Sequence, residues 1–337
     1  MKQYVIVYIK GMLFMKKVLN NIKVYRYSNI EDFRFKKFDF PFNVDMFKLL
    51  KNENKLKQEY YYLKSGKDYA FFSVYENKMN IFTFGKFELF MKLRVVGYPC
   101  SLSNCGYITN NEEMMFDFIK SIKGAIIVFN VEKCNKINDY SLCETLPTCM
   151  FKNKFNNMNE YLSSLRSGYR RRIMKALQNT SDVCCVYDNK IDVYDLYLNT
   201  YNKSNYKLEK LERGFFEKIN AQKIVFIKDE SPCGFVLLKK NKSKLIFMLC
   251  GMDYSYDTSD LYYLMLYKII EYAIDNKCEY IDFGQTSEDA KLKMGCYLDK
   301  RYFYIHHSNK FLNKIAYLMR GILEYKYSFN DYRVFKE

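Results

Sequence analysis

The sequence lacks several residues that mark particular classes of protein. It has no tryptophan, four prolines and two histidines, and its eleven cysteines include no CxxC pair. Because zinc sites are built from closely spaced cysteines and histidines, this composition argues against a metal centre. Scattered thiols, several of them in apolar strand-like runs, are typical of a reducing compartment. We therefore expect a cytoplasmic protein without a bound metal.

Long apolar runs and flexible linkers are missing as well. The apolar stretch near the N-terminus, Tyr4–Ile9, is followed by Lys10 and Gly11, is too short to cross a bilayer and has no small-residue cleavage site. We expect no transmembrane segment, and we interpret residues 1–20 as either a strand or a disordered leader. No stretch rich in proline, glycine and serine divides the 337 residues, a length that allows two domains.

Positive charge, by contrast, is abundant. Lysine and arginine number 54 against 38 aspartates and glutamates, which gives a net charge of +16. Such a charge favours anionic partners, namely nucleic acid, phosphorylated small molecules or an anionic membrane surface with peripheral association. The alternative is compositional drift, because asparagine, tyrosine, isoleucine and phenylalanine are abundant together with lysine.

The second half of the sequence alternates strand-like and helical patterns. A long amphipathic helix, Asn157–Leu177 with Gly168 as its weak point, precedes three strands separated by turns. A helix that is apolar nearly all round then leads to a buried strand. The predicted elements are strands Lys223–Ile227, Gly234–Leu238 and Lys244–Gly251, helix Asp260–Asn276, strand Glu279–Phe283, a short helix carrying Lys291, strand Arg301–Ile305 and helix Phe311–Leu323.

The first half shows a similar order in weaker form. Two strands joined by a polar turn, Tyr69–Val74 and Asn80–Phe84, predict a hairpin. Strand Leu93–Gly97, helix Glu112–Ile122 and strand Ala125–Val131 follow. Two halves with related element order predict two domains of the same general architecture.

Four segments carry a resemblance to a known family. They are Leu93–Ile108 (LRVVGYPCSLSNCGYI), Tyr161–Ala176 (YLSSLRSGYRRRIMKA), Cys233–Tyr256 (CGFVLLKKNKSKLIFMLCGMDYSY) and Leu261–Cys296, which ends in EYIDFGQTSEDAKLKMGC. In order and spacing they resemble the FemAB-like branch of the GNAT acyltransferase superfamily. The resemblance implies an α+β fold of two tandem GNAT-like domains, each a mixed, mostly antiparallel sheet flanked by helices. It places the N-terminal domain at residues 1–155 and the C-terminal catalytic domain at 156–337.

The same resemblance implies an enzyme of the acyltransferase class, EC 2.3. It would move an acyl or aminoacyl group from acyl-CoA or aminoacyl-tRNA, as co-substrate, to an amine. A cell-envelope precursor is the acceptor that the branch suggests, with a role in cell wall biogenesis and no tightly bound cofactor. One departure concerns the donor. The Q/R-x-x-G-x-G/A motif that cradles CoA pyrophosphate in GNAT proteins is replaced by GMDYSYDTSD before the Asp260 helix.

Candidate catalytic residues cluster after the strand Glu279–Phe283. Lys291 matches the family's Lys-x-x-x-Gly and would place an ammonium near the reacting carbonyl or the donor phosphate; the alternative is a solvated helix lysine. Asp282 would orient or deprotonate the amine, or else cap the following helix. Gln285 would bind a carbonyl or amide of the substrate.

Gly284 and Thr286 complete this segment as substrate-binding positions. Gly284 ends the strand, and Thr286 or Ser287 is expected to cap the helix that carries Lys291. His306 and His307 lie on the strand that follows and would be the nearest imidazoles, or ordinary strand residues.

Two further groups are candidates for binding. Arg170, Arg171 and Arg172 form the strongest basic cluster, suited to an anionic substrate such as a nucleotide-linked precursor, CoA or tRNA; the alternative is a solvated helix face. Tyr254 and Tyr263 would line a substrate pocket, or serve core packing. The competing function is a non-catalytic basic RNA-binding or interaction protein on a GNAT-like scaffold.

Overall fold

The chain divides into two compact units in the computed structural model, which describes residues 4–9, 12–19, 22–33, 37–85, 87–100, 102–256 and 258–336. Unit 1 comprises Met1–Thr145 and Arg301–Lys326, and unit 2 comprises Leu146–Lys300 and Tyr327–Glu337. No helix among the described residues is long and apolar enough to cross a lipid bilayer.

The elements are numbered in chain order. The strands are β1 (Tyr4–Ile9), β2 (Met12–Leu19), β3 (Ile22–Tyr27), β4 (Gln58–Ser65), β5 (Asp68–Asn80), β6 (Phe90–Val96), β7 (Tyr107–Thr109), β8 (Ala125–Val131), β9 (Ser141–Glu144), β10 (Thr148–Lys152), β11 (Cys184–Val186), β12 (Gln222–Lys228), β13 (Ser231–Asn241), β14 (Lys244–Met252), β15 (Tyr280–Asp282), β16 (Tyr297–Asp299) and β17 (Tyr302–His307). The α-helices are α1 (Val44–Glu53), α2 (Glu112–Ile119), α3 (Met158–Ser164), α4 (Ser167–Asn179), α5 (Tyr194–Lys203), α6 (Arg213–Lys218), α7 (Thr258–Asp275), α8 (Glu288–Lys293) and α9 (Lys310–Leu323).

Unit 1 is built on a mixed sheet with the order β1-β2-β3-β4-β5-β6-β8-β17-β9, and β7 pairs with β5. Among the described strands of this sheet, only β6 and β8 run parallel, with Arg94 opposite Ile126. A parallel pair needs a crossover, and α2 supplies it. Its Met115, Phe116 and Ile119 are buried in the core of this unit.

Unit 2 repeats this plan with the order β11-β12-β13-β14-β15-β10-β16. Here β14 and β15 are the parallel pair, and α7 is the crossover. The apolar pattern of α7 buries Leu266, Ile269 and Ala273 in the core, as the sequence predicts. Gly234 of β13 permits the close approach, because a Cβ at that position would lie 2.2 Å from Cε of Met265.

In each sheet, a strand from a distant part of the sequence lies beside the parallel pair. β10 pairs with β15 in unit 2, and β17 pairs with β8 in unit 1. The observed division therefore differs from the predicted boundary between residues 155 and 156. The α+β class, with two mixed and mostly antiparallel sheets flanked by helices, is confirmed.

Two predicted features need correction, a hairpin and a long helix. β5 runs unbroken through the polar residues Glu76–Lys78, because its first part pairs with β4 and its last part with β6, so the predicted hairpin at that turn is wrong. The predicted helix Asn157–Leu177 is two helices, α3 and α4. The break is not at Gly168 but at Leu165, which forms an isolated β-bridge with Phe335.

The interpretation of residues 1–20 is resolved for the described part. Tyr4–Ile9 forms β1, which pairs antiparallel with β2 from Tyr4 opposite Lys17 to Ile9 opposite Met12. The remaining positions of this segment lie outside the described residues.

Candidate active site

The two parallel strands of unit 2 pair over a short distance only. They are in register from Lys244 opposite Tyr280 to Ile246 opposite Asp282, where β15 ends. β14 continues alone on that side to Met252. Because ligands of open α/β sheets bind beyond the carboxyl ends of parallel strands, the end of β15 is the natural place for a site.

The loop that follows β15 has a strained backbone. Gly284, Thr286 and Ser287 have φ angles of 69°, 63° and 52°. Glycine tolerates this left-handed region, whereas a residue with a side chain is disfavoured there by about 1–2 kcal/mol. Backbone strain of this kind persists only where surrounding contacts enforce it, and it is concentrated at functional sites.

The predicted helix cap at this loop takes a different form. Ser287 occupies the N-cap position of α8 but makes no side-chain capping bond. Its hydroxyl instead hydrogen-bonds the phenol of Tyr262, whose pKa is raised by burial. The residue types are therefore placed correctly, but the hydroxyl ties the loop to α7 rather than to its own helix.

Lys291 supplies two of the contacts that hold the loop. Its side chain is only 2% exposed, which excludes the solvated-lysine alternative. Nζ donates to the backbone oxygen of Gln285 at 2.9 Å and to that of Gly284 at 3.3 Å. An ammonium has three N–H donors, so these two carbonyls leave one for a further acceptor. None of the described carboxylates forms a salt bridge with Lys291.

Sequence reasoning misses Glu288, which lies one helical turn before Lys291. Glu288 is 7% exposed, and its Oε1 is buried without any hydrogen-bond partner. A buried carboxylate oxygen without a partner is costly in a stable fold and calls for an explanation. Its sequence signal is that of an ordinary acidic residue in the first turn of a helix, so only the structure shows that it is buried and unpartnered.

Asp282 lies at the strand end as predicted, but both oxygens of its carboxylate already have partners within the protein. It is 1% exposed; Oδ2 pairs with Nζ of Lys244 at 2.9 Å, and Oδ1 accepts from Oγ1 of Thr148 at 2.7 Å and from the Gly284 amide at 3.0 Å. Burial raises the pKa of Asp282, but the charge of Lys244 and these hydrogen bonds outweigh it and hold the pKa below its usual value. This carboxylate is a poor proton acceptor for a substrate amine.

The surroundings of this strand end are rich in thiols and aromatic rings. Burial raises the pKa of Cys149 to about 12 and that of Cys250 to about 11, while the positive charge of Lys291 acts in the opposite direction on both. These thiols stay protonated and are unsuited to nucleophilic attack.

The Gln285 side chain donates to the Leu146 carbonyl at 2.5 Å, which holds the loop against the segment before β10.

A second polar cluster lies at the start of α7. Asp260, in the first turn, pairs with Arg172 through Oδ1 at 2.5 Å and accepts from Asn179 through Oδ2 at 2.6 Å. The Arg172 guanidinium also lies 4.1 Å from the ring centroid of Tyr263 and donates to Ser259. Burial raises the pKa of Asp260, but the hydrogen bonds from Asn179 and Arg172 outweigh this effect and hold the pKa below its usual value, so the carboxylate is ionised.

The other predicted binding residues differ in their surroundings. Arg170 and Arg171 are exposed on α4, and no ion pair in the described part of the chain involves them. Tyr254 contacts α5: its hydroxyl lies 3.3 Å from Oγ1 of Thr200, and Nζ of Lys203 lies 3.8 Å from its ring centroid. The basic cluster predicted from sequence is thus divided, because Arg172 is committed to Asp260.

The structure brings together Lys291, Gln285, Gly284 and Asp282 at one strand end. It places Arg172 and Tyr263 together at the start of α7. The histidines do not join either group. His306 and His307 belong to β17, which pairs with β8 and β9 in unit 1, whereas β15 lies between β14 and β10 in unit 2.

Comparison with known families identifies the domain. Residues 163–292 match the family model described as an acetyltransferase (GNAT) domain. This part of unit 2 is similar to GNAT acetyltransferase domains. The match spans β14, α7, β15 and both Glu288 and Lys291, so the strand end described above lies within it. It supports acyl transfer as the general activity and confirms the GNAT superfamily expected from the sequence.

Solved structures give distant likenesses only. A structure of FemX is 12% identical, with 79% of this chain and 92% of FemX covered and a TM-score of 0.46. L-PGS from Bacillus licheniformis is 10% identical, with 85% of this chain and 97% of that chain covered and a TM-score of 0.48. A tandem GNAT protein from the clavulanic acid biosynthesis pathway is 9% identical, with 84% of this chain and 93% of that chain covered and a TM-score of 0.47. At TM-scores below 0.5, these likenesses carry no argument about this chain. No curated protein matches the sequence.

Proposed function

We propose that the chain is an N-acyltransferase of the FemAB-like type whose chemistry takes place at the end of β15. The observation that carries the proposal is the pair of buried, uncompensated groups there. Lys291 binds only backbone carbonyls through two of its donors, and Oε1 of Glu288 has no partner. Such a pair is expensive for stability alone, and it supplies a positive charge and a proton acceptor within one helical turn.

The proposed reaction uses these two groups in turn. Glu288 accepts a proton from the substrate amine as its nitrogen attacks the acyl carbon, and a nitrogen–carbon bond forms. The remaining N–H of Lys291 stabilises the negative charge that develops on the carbonyl oxygen. The bond from carbon to the leaving oxygen or sulfur then breaks, and Glu288 returns its proton to the leaving group. Asp282, Gln285 and Thr148 act as positioning residues that fix the loop.

Access to these groups requires the loop to move. Glu288 and Lys291 are both buried, and the Lys291 ammonium is bound by the Gly284 and Gln285 carbonyls of this loop. The left-handed angles at Thr286 and Ser287 mean that the loop is held in place by its contacts rather than by its own conformational preference. We propose that substrate binding displaces this loop and exposes the pair.

The donor we favour is aminoacyl-tRNA, with acyl-CoA as the alternative. In a GNAT protein with the usual motif, the amide groups at the start of the α7 helix would hold the CoA pyrophosphate. Here the Asp260 carboxylate, paired with Arg172 and hydrogen-bonded to Asn179, already places an anion in the first turn, so a second anion is disfavoured there. The exposed cations Arg170, Arg171 and Lys175 are instead suited to a nucleic-acid backbone or a nucleotide-linked acceptor.

The wider role follows from the resemblance. We propose a cytoplasmic enzyme whose acceptor is the amine of an anionic cell-envelope precursor, with a place in cell wall biogenesis. The competing function, a non-catalytic basic RNA-binding protein, draws on the same exposed arginines. It does not account for the buried Glu288 and Lys291.

A donor screen with the full chain tests the proposal. Thermal unfolding is followed with CoA, acetyl-CoA, longer acyl-CoAs, bulk aminoacyl-tRNA and the same tRNA after deacylation. A ligand at 100 times its dissociation constant stabilises the native state by about 2.7 kcal/mol, a readable shift in melting temperature. Each stabilising donor is then incubated with amines, including a nucleotide-linked peptide precursor, and transfer of the acyl group is measured.

The outcomes separate the alternatives. Stabilisation by charged but not by deacylated tRNA, with transfer to an amine, supports the whole proposal. Stabilisation and transfer with acyl-CoA retains the acyltransferase but refutes the donor assignment. An equal response to any RNA without transfer supports the binding protein. Arg170→Gln/Arg171→Gln should lower the salt dependence of tRNA binding, with Lys190→Gln/Lys210→Gln, two exposed lysines of unit 2, as the matched control.

A further inference from the structure

The last helix of unit 1, α9, leaves an apolar stripe uncovered. Phe311, Leu318 and Ile322 are 72%, 70% and 58% exposed. Together with Ile315 they follow the spacing of four, three and four residues that places side chains on one face of an α-helix. Leu323 is the only residue of the helix that is fully buried. The stripe is therefore a second apolar face, beside the one that packs on unit 1.

Cationic residues border this stripe. Helix α9 carries Lys310, Lys314 and Arg320 and contains no aspartate or glutamate. The two lysines are exposed, and within the described residues neither takes part in a salt bridge. A helix with an exposed aromatic and aliphatic face and unpaired cations beside it has the composition of helices that lie in the plane of a membrane interface.

A loop of the same unit adds to this surface. Phe87 and Leu89 precede β6, and Phe90 and Met91 are its first two residues. All four side chains are apolar and exposed. Phe84, three residues before Phe87, contacts Tyr325, two residues after α9, with 5.0 Å between the ring centroids, so the chain leading to this segment passes near the end of α9. Contiguous exposed apolar residues on a protein surface mark sites of interaction.

We propose that α9 and the Phe87–Met91 loop dock on an anionic lipid bilayer. Phe311, Leu318 and Ile322 enter the boundary between headgroups and acyl chains, and Lys310 and Lys314 contact the negative headgroups. The net charge of the whole chain, +16, also favours binding to an anionic surface. The bilayer is preferred to a second copy of the chain as the occupant, because two copies would bring these uncompensated cations against each other. This docking does not depend on the proposed acyl transfer.

Co-sedimentation of the full chain with vesicles tests the proposal. Binding is measured on phosphatidylcholine vesicles with and without phosphatidylglycerol. We expect binding to the anionic vesicles that weakens with salt, and little to phosphatidylcholine alone. Phe311→Gln/Leu318→Gln should weaken the binding about tenfold or more, because two apolar anchors are lost while a helix-compatible residue is kept. Lys310→Gln/Lys314→Gln should weaken it about tenfold and reduce its salt dependence.

Matched controls keep the result specific. Met174→Gln/Tyr297→Gln removes two apolar side chains of unit 2 that are about half exposed, and should bind vesicles like the wild type. The melting temperature of each variant shows that it is folded. The proposal is overturned if the wild type ignores anionic vesicles, binds both vesicle types equally, or keeps its affinity in Phe311→Gln/Leu318→Gln. It is also overturned if sedimentation shows a dimer that this double variant abolishes.

Discussion

Two regions of unit 2, the start of α7 and the end of β15, differ in how far their charged side chains are paired. At the start of α7, the Asp260 carboxylate is matched by Arg172 and Asn179, and the guanidinium is stacked on Tyr263. At the end of β15, Lys291 has only backbone carbonyls as acceptors, and one oxygen of Glu288 has none.

The comparison shows where structure and function separate in this domain. A satisfied cluster stabilises the fold and leaves little affinity for a further anion. A cluster with an unpartnered carboxylate oxygen and an ammonium that has one N–H donor left can gain interactions when a substrate binds. We therefore assign a structural role to the start of α7 and the chemistry to the end of β15, although the resemblance to GNAT proteins alone would put the donor at the helix.

The largest effect should come from removing the ammonium at the strand end. Lys291→Ala is expected to lower the transfer rate about 100- to 1,000-fold, because one donor to the developing oxyanion is lost. The measurement is single-turnover transfer from the donor that stabilises the wild type. Lys293→Ala, which breaks an exposed pair with Asp289 on the same helix, is the control and should keep its rate within about threefold. Equal losses in both variants would remove the distinction between the two lysines.

Breaking the satisfied pair beside the site should cost stability. Lys244→Met removes the cation that pairs with the buried Asp282 carboxylate at 2.9 Å, while the hydrogen bonds from Thr148 and the Gly284 amide remain. The free energy of unfolding should fall by about 2–3 kcal/mol, at the low end for a buried pair because Lys244 is itself partly exposed. Chemical denaturation measures it, with Lys152→Met on the adjacent strand β10 as the control. No difference between the two variants would show that Asp282 is not held by this charge.

The same carboxylate predicts a pH dependence. Its pKa is lower in the folded protein than in the unfolded chain, so its contribution is present above the unfolded pKa, about 4, and disappears as the pH falls through the folded pKa. The stability difference between the wild type and Asp282→Asn should therefore shrink on acidification below about pH 4. Urea unfolding at a series of pH values tests it, and a difference that grows towards low pH would contradict the assigned ionisation.

The smallest effect is expected at the start of α7. Asp260→Asn removes the internal anion and should destabilise the chain by about 1 kcal/mol, since Arg172 is partly exposed. It should also raise the affinity for CoA, because the repulsion of the pyrophosphate is lost. Titration calorimetry compares the variant with Asn179→Ala, which keeps the carboxylate. Unchanged CoA affinity in Asp260→Asn would show that Asp260 does not exclude this donor.

The fold was largely predictable because its patterns are local. The apolar surface of α7, the turns between β12, β13 and β14, and the glycine after β15 each leave a signal within a few residues. Pairings between distant segments leave none. The placement of β10 beside β15 and of β17 beside β8 depends on residues that are far apart in sequence, so the sequence left open whether the histidines of β17 approach the candidate site or are ordinary strand residues.

The candidate site was predictable in position but not in chemistry. The residue types at 282, 284, 285 and 291 indicate a strand end followed by a helix, and these side chains do meet. Which carboxylate is free depends on partners from other elements. Lys244 and Thr148 occupy Asp282, whereas Glu288 is left with an unpartnered oxygen. Sequence patterns favour the first carboxylate, and only the three-dimensional contacts point to the second.

The most direct test of this account is single-turnover acyl transfer by Glu288→Gln. The substitution keeps the size of the side chain and removes its ability to accept the proton. We expect a rate about 100-fold or more below that of the wild type, with unchanged melting temperature and unchanged stabilisation by the donor. Transfer at the wild-type rate would contradict the assignment of the chemistry to the end of β15.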